Sequence, residues 1–354
     1  MDGTEEKRSA GSGRPTSRDV ARLAGVSHTA VSFVFNGRAE GNLSPATQER
    51  IRQAAAQLGY RPDPVARGLR SRRTAVIGLV TDEIASSPFA GRLLRGAMET
   101  AWDSDHLVLT VDSGGDRAKE DAAVAELLDR RVDGIIYAAM SLRRVRVPEG
   151  LHRTHSVLAN CLPEDDSLPC VVPAERAGGR TAARLLLDQG HRRIALVGGE
   201  QDIASVERLR GFRDALRAEG VNLPKEWVVR TGGEISSGYQ GATRLLDGVP
   251  AEQRPTGIFC YNDRVAAGAL HCAARLGITV PGELSVVGYD DQEHMAAHLF
   301  PPLTTVALPH REMGETATRL LLDAIDTGRT PPPTVRRLAC PVVGRGSVGP
   351  APTG

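Results

Sequence analysis

Three stretches of this chain hold residue types at spacings that could support chemistry. In EHMAAH (293–298), His294 and His298 stand four apart, so a helix would put both imidazoles on one face, as zinc ligands are placed. Zinc sites take three or four ligands. No third ligand is placed by the spacing, and Glu293 precedes both histidines, which is not the HExxH order. GRGSVG (344–349) satisfies GxGxxG, but only 350–354 remain after it, too few for the helix whose N-terminus would receive a pyrophosphate. There is no GxSxG elbow, P-loop or CxxC pair, and no nucleophile stands paired with a base. Neither a metal, a cofactor nor an enzyme activity is expected.

The third stretch, AGVSHTAVSFVFNGR (24–38), is more specific. Gly25 can end one helix and Ser27 can cap the next. At about 100° per residue, Ala30, Val31, Val34 and Phe35 fall on one side of that second helix, facing Val20, Leu23 and a third helix. His28, Thr29, Ser32, Phe33 and Asn36 fall on the other. Phe35 is then packing, whereas Phe33 lies on the polar side. The pattern reads as a helix-turn-helix whose second helix enters a DNA groove. A mini-bundle of this kind could instead be a protein-interaction module. Charge favours DNA: residues 1–74 hold 13 Lys or Arg against 7 Asp or Glu, while the whole chain carries only +1.

The elements that would position these residues follow the chain. Residues 1–14 are polar and Gly/Ser-rich, a disordered tail by composition. Residues 15–61 predict three short helices, the first capped by Thr16 with Asp19 in a near capping box, the third begun by Ser44 and Pro45. Residues 62–74, PDPVARGLRSRRT, read as a linker or a helix that forms only with a partner. Beyond Thr74, apolar runs at 75–80, 107–112, 134–139, 193–199, 256–261 and 284–290 alternate with amphipathic helices at 90–102, 117–131, 174–190, 206–219 and 263–276. That alternation predicts an α/β core with parallel sheets, long enough for two lobes and a cleft. Its expected division is 75–173 with 306–328, then 174–305 with 329–349. The five cysteines are odd in number and predict buried thiols in a reducing compartment. With no apolar signal region or membrane span, a soluble cytoplasmic protein is expected.

The head, TSRDVARLAGVSHTAVSFVFNG (16–37), resembles the LacI/GalR family of bacterial transcription regulators. So do RPDPVARGLRSRRT as a hinge, SPFAGRLLRGA (87–97), GHRRIALVGG (190–199), ERLRGF (207–212), NDRVAAGAL (262–270), and LSVVGYDD followed by PPLTTV. GRGSVG is similar to the family's closing R-G-S. The resemblance covers about residues 15–349 and implies a periplasmic-binding-protein-like core, a near-palindromic double-stranded DNA operator, a homodimer and a small-molecule effector, expected to be a carbohydrate.

By the same resemblance, Thr16, Ser27, Ser32, Asn36 and Tyr60 would hold phosphates, with His28 and Thr29 at the base-reading start of the helix. Leu69 matches a leucine that wedges into the minor groove, with Val65 and Ala66 between paired hinge helices. Arg208, Asn262 and Asp290 match polar effector contacts, Phe89 an apolar one, and Asp82 is a weaker candidate. Several positions depart from the family pattern: Ala30 and Phe33 in the reading helix, Asp63 in the hinge, the longer loop 38–43, Ala174 and Leu308. They put the operator sequence and the effector in question. The alternative is a cytoplasmic solute- or sugar-binding protein with a head that does not bind DNA.

Overall fold

The computed structural model describes residues 15–35, 37–60, 73–84, 91–199 and 202–353. The chain divides into two units, Met1–Thr74 and Ala75–Gly354. The expected site residues Asn36, Ala66, Leu69 and Phe89 lie outside the described residues.

The first unit is built on three helices, α1 (Ser17–Ala24), α2 (His28–Phe35) and α3 (Pro45–Leu58). Thr16 starts α1 through a full capping box: its hydroxyl and amide donate to the Asp19 carboxylate at 2.6 and 3.0 Å, and the Asp19 amide returns to Thr16 Oγ1. Gly25, at φ 62°, ends α1 in the left-handed conformation. Two residues later Ser27 Oγ accepts the Ala30 amide at 3.1 Å and opens α2. The core consists of Val20, Ala21, Ala24, Ala30, Val31, Ile51, Ala54 and Ala55. Leu23 was expected in this core and is instead 47% exposed. Val20, Ala21 and Ala24 define the buried stripe, and Leu23 projects about 110° from its centre, toward solvent.

The second unit holds two six-stranded sheets. The first contains β1 (Val76–Thr81), β2 (Leu107–Asp112), β3 (Gly134–Val145), β4 (Ser156–Pro163), β5 (Cys170–Pro173) and β11 (Val335–Leu338), ordered β11-β5-β4-β3-β1-β2 and wholly parallel. The second contains β6 (Ile194–Val197), β7 (Val228–Val229), β8 (Gly257–Cys260), β9 (Ser285–Asp290), β10 (Thr304–Ala307) and β12 (Val342–Val343). Its order is β12-β10-β9-β8-β6-β7, with only β12 antiparallel. Burial on both faces explains the unbroken apolar runs of the central strands. Helices α4 (Gly91–Asp103), α5 (Arg117–Asp129) and α10 (His310–Thr327) cover the first sheet; α6 (Glu175–Leu187), α7 (Ile203–Ala218), α8 (Ile235–Leu246) and α9 (Asp263–Arg275) cover the second.

The chain crosses between the lobes after β5, after β10 and after β11. The expected return to the second lobe at 329 is therefore corrected. Val335–Leu338 pairs with Cys170–Pro173 and extends the first sheet by one strand beyond β5. The five cysteines are free and buried. Among the described residues no helix is long and apolar enough to cross a membrane.

Helices α6 and α7 meet backbone to backbone. A Cβ at Gly211 would stand 1.8 Å from the Arg176 carbonyl oxygen, and one at Gly179 would stand 2.1 Å from that of Arg208. Gly211→Ala should lower unfolding free energy by about 1–3 kcal/mol, read from the urea midpoint. Gly91→Ala, whose Cβ meets nothing within 4 Å, should leave it unchanged or raised.

Candidate functional site

The head presents a two-sided helix. On α2, Ala30 and Val31 are buried, and Val34 and Phe35 pack partly against the same core. Phe35 meets Tyr60 edge to face, with ring centroids 5.6 Å apart. Tyr60, expected at a phosphate, is thus also an apolar anchor. Phe33 takes no part in the core cluster and is half-exposed. Ser27, His28 and Thr29 stand exposed at the start of the helix, and Ser32 is half-buried. Thr16, also exposed, has its hydroxyl committed to Asp19. Sequence reasoning missed one contact: His28 Nε2 lies 2.9 Å from Ser17 Oγ. That bond joins the N-terminal turns of α1 and α2 and fixes the imidazole plane, leaving Nδ1 for another partner.

In the second unit the expected effector residues stand at strand ends and at helix starts, where open α/β sheets bind ligands. Asp82 follows β1, Asn262 opens α9 and Asp290 ends β9. Most of their polar atoms are already engaged. Asp82 accepts the Glu83 and Met140 amides at 2.7 and 2.9 Å and pairs with Arg143 at 2.9 Å, so it ties β1 to β3. Asn262 caps α9 by accepting the Val265 amide at 2.8 Å and donates to the Gly233 carbonyl at 3.0 Å.

Arg208 departs furthest from expectation. Its Nε and Nη2 donate to the two oxygens of Glu175 at 2.8 and 2.9 Å, and Nη1 donates to the Tyr261 carbonyl at 2.7 Å. The guanidinium carbon lies 3.8 Å from the ring centre of Tyr289 and 4.8 Å from that of Tyr261. Gly178 makes room for Tyr289, since a Cβ there would fall 2.0 Å from the phenol oxygen. The fork expected to grip a ligand is therefore spent on Glu175. No spacing rule points to Glu175, 33 residues away on another helix.

Asp290 is served least. Its carboxylate is 3.6 Å from Arg208 Nη1, and burial drives its pKa well above the usual carboxylate range despite that neighbour. Burial also raises Asp263 to about 6, against bonds from Thr305 and the Gln292 amide. Missed as well is His310 at the start of α10, lowered to about 4 by burial and by the charges of Arg92 and Arg208, and so neutral near pH 7.

The lobes are joined across this region. Arg92 of α4 reaches Asp291 at 3.4 Å and Glu293 at 3.5 Å, and Arg345 holds Asp291 at 2.6 Å. Leu142 and Val172 of the first lobe pack with Ala204 of the second. GRGSVG is also structural: Ser347 Oγ donates to the Val286 carbonyl at 2.6 Å and accepts the Thr304 amide at 2.8 Å. The segment with His294 and His298 is not a continuous helix, since His294 has φ 61° and only Ala296–His298 forms a short turn.

A helix-turn-helix head followed by a two-sheet core of this topology defines a DNA-binding transcriptional regulator. The model for bacterial regulatory proteins of the lacI family matches residues 16–63, and that for a periplasmic binding protein-like domain matches 183–348. The chain is 33% identical over 316 residues to the HTH-type transcriptional repressor PurR of Vibrio parahaemolyticus, covering 88% of this chain and 92% of that one. A lac repressor dimer solved with operator and the anti-inducer ONPF superposes with a TM-score of 0.75 at 25% identity, covering 95% of this chain and all of that one. The transcriptional regulator CelR in complex with cellobiose gives 0.65 at 31% identity, covering 94% of this chain and all of that one. The chain belongs to the lacI family and is a DNA-binding transcriptional repressor of that family.

Removing one partner of a buried pair strands the other charge. Glu175→Ala should destabilise the protein by about 3–5 kcal/mol, measured by urea unfolding. A cost below about 1 kcal/mol would mean that Glu175 does not carry Arg208.

Proposed function

We propose that this protein is a cytoplasmic homodimer that represses transcription from a near-palindromic operator, and that a small molecule held between the lobes, a carbohydrate or a close relative of one, sets its operator affinity. The observation that carries the DNA half is the two-sided α2. Its inner side is fixed by Ala30, Val31 and Phe35, so the exposed start with His28 and Thr29 is presented on a rigid element. His28 and Thr29 supply donors and acceptors for base edges, while Thr16, Ser27, Ser32, Asn36 and Tyr60 set register on phosphates. Leu69, with Ala66, serves as the hinge wedge in the minor groove.

The dimer is supported by an apolar edge on the first lobe. Met98 and Trp102 of α4 are exposed, as are Leu107 and Leu109 of the edge strand β2, an arrangement that a second copy would cover. The effector half rests on the cleft. Asp290, Arg208 and Asn262 stand in the second lobe and Asp82 in the first, while Phe89 adds an apolar contact in the family pattern. Asp290 is adjacent in sequence to Asp291, the residue that Arg92 grips from the other lobe. A ligand that moves the β9 end therefore acts on the interlobe clasp, and effector and operator must alter each other's affinity equally.

The test is fluorescence anisotropy with the DNA upstream of the protein's own gene, over a salt series and a sugar panel. Binding should weaken steeply with salt, and a sugar should shift the midpoint. Salt-insensitive binding, or none, defeats the DNA half; binding that no small molecule alters defeats the effector half. Phe33 cannot make arginine's paired contact to guanine, but it can touch a thymine methyl. Phe33→Arg should move site selection from A·T toward G·C at one base pair of each half-site. Unchanged preference there would make Phe33 a packing residue only.

A further inference from the structure

Around Asp290 the buried carboxylates outnumber the buried cations. Among the described residues Arg208 is the one buried guanidinium or ammonium, whereas Glu175, Asp263 and Asp290 are buried carboxylates whose charges act on one another. Arg264, the other cation that acts on Asp290, is 38% exposed and turned to the Gly233 carbonyl and Glu234, while Arg345, which acts on Asp263, is held by Asp291.

These carboxylates are unequally satisfied. Glu175 takes the Arg208 fork through both oxygens. Asp263 accepts the Thr305 hydroxyl and the Gln292 amide, each at 2.6 Å. The Asp290 carboxylate receives no hydrogen bond from any described residue, and its one ion-pair contact is the 3.6 Å approach of Nη1, which already donates to the Tyr261 carbonyl at 2.7 Å. A buried carboxylate in this position is costly until a donor reaches it. Asp290 also adopts φ 109°, so the end of β9 holds an uncommon backbone conformation to set this side chain where it is. An incoming anion would meet a guanidinium whose fork is taken and carboxylates on either side of it. An incoming ammonium would bring three donors and the missing positive charge.

We infer that the cleft selects an effector bearing a protonated amine, an amino sugar or a comparable hydroxylated amine, with its ammonium on Asp290, and that it rejects carboxylate and phosphate analogues. Glu175 is the residue that sets this choice, because it removes the arginine fork from any ligand. The inference rests on the reading of the cleft as an effector site.

The test uses the full chain and matched ligands: glucose, glucosamine and glucuronate, with their galactose and mannose counterparts. Titration calorimetry and operator anisotropy should show an amine binding at least about tenfold more tightly than its neutral parent, with its acid inactive. Asp290→Asn should abolish the preference for the amine. The variant should still fold, since asparagine is close in shape to aspartate and tolerates positive φ. Acids or neutral sugars binding as well as amines, or an Asp290→Asn variant that keeps the preference for the amine, would overturn the charge assignment and leave the effector reading intact. Operator binding that responds to no member of the panel would remove the effector reading and this proposal together.

Discussion

The second unit is organised around one buried cation. Arg208 is 4% exposed, yet it keeps its charge because Glu175 and Asp290 more than offset the cost of burial. Everything near it is arranged to make that possible. Gly179 lets α6 approach the Arg208 carbonyl, Gly178 admits the Tyr289 ring beneath the guanidinium, and the end of β8 offers the Tyr261 carbonyl. The α6–α7 packing, the end of β9 and the start of α9 are thus tied to a single side chain. A change in any of them reaches the cleft through it.

The head solves a smaller version of the same problem with fewer residues. Its apolar core is largely alanine and valine, small enough for three short helices to close on one another. Caps do much of the remaining work: Thr16 with Asp19, Ser27, and Ser44 on the Thr47 amide at 3.2 Å. Such ends contribute about 1 kcal/mol each, a meaningful share for a domain of this size. The Arg22–Asp19 pair at 2.5 Å adds to the first of them, and the Thr16 bonds, more than that pair, hold the Asp19 carboxyl below its usual range.

Much of this was legible in the sequence, for physical reasons. The central strands are buried on both faces, so β1, β8 and β9 appear as uninterrupted apolar runs, while the edge strand β2 falls at 107–112 as expected although Leu107 and Leu109 are exposed. Helix ends marked by serine, proline and glycine were equally readable. β5, β7, β11 and β12 were not read as strands, and β11, with three of its four residues exposed, misled the lobe division. Leu23 was misplaced because periodicity over eight residues fixes a stripe only loosely. Arg208, Asp290, Asn262 and Asp82 were singled out by position alone. Their partners were not, because Glu175, the Tyr261 carbonyl and Met140 reach them only through the tertiary fold.

The three crossings between the lobes have a mechanical consequence. Three covalent connections, after β5, after β10 and after β11, tie one lobe to the other. Strands joined in this way can bend together about the line they define, but cannot slide past one another without stretching at least one of them. The lobes are thus confined to something close to a single rotational freedom. A protease that nicks one connection leaves the other two in place, so the cleft can lose a covalent bond without losing its alignment.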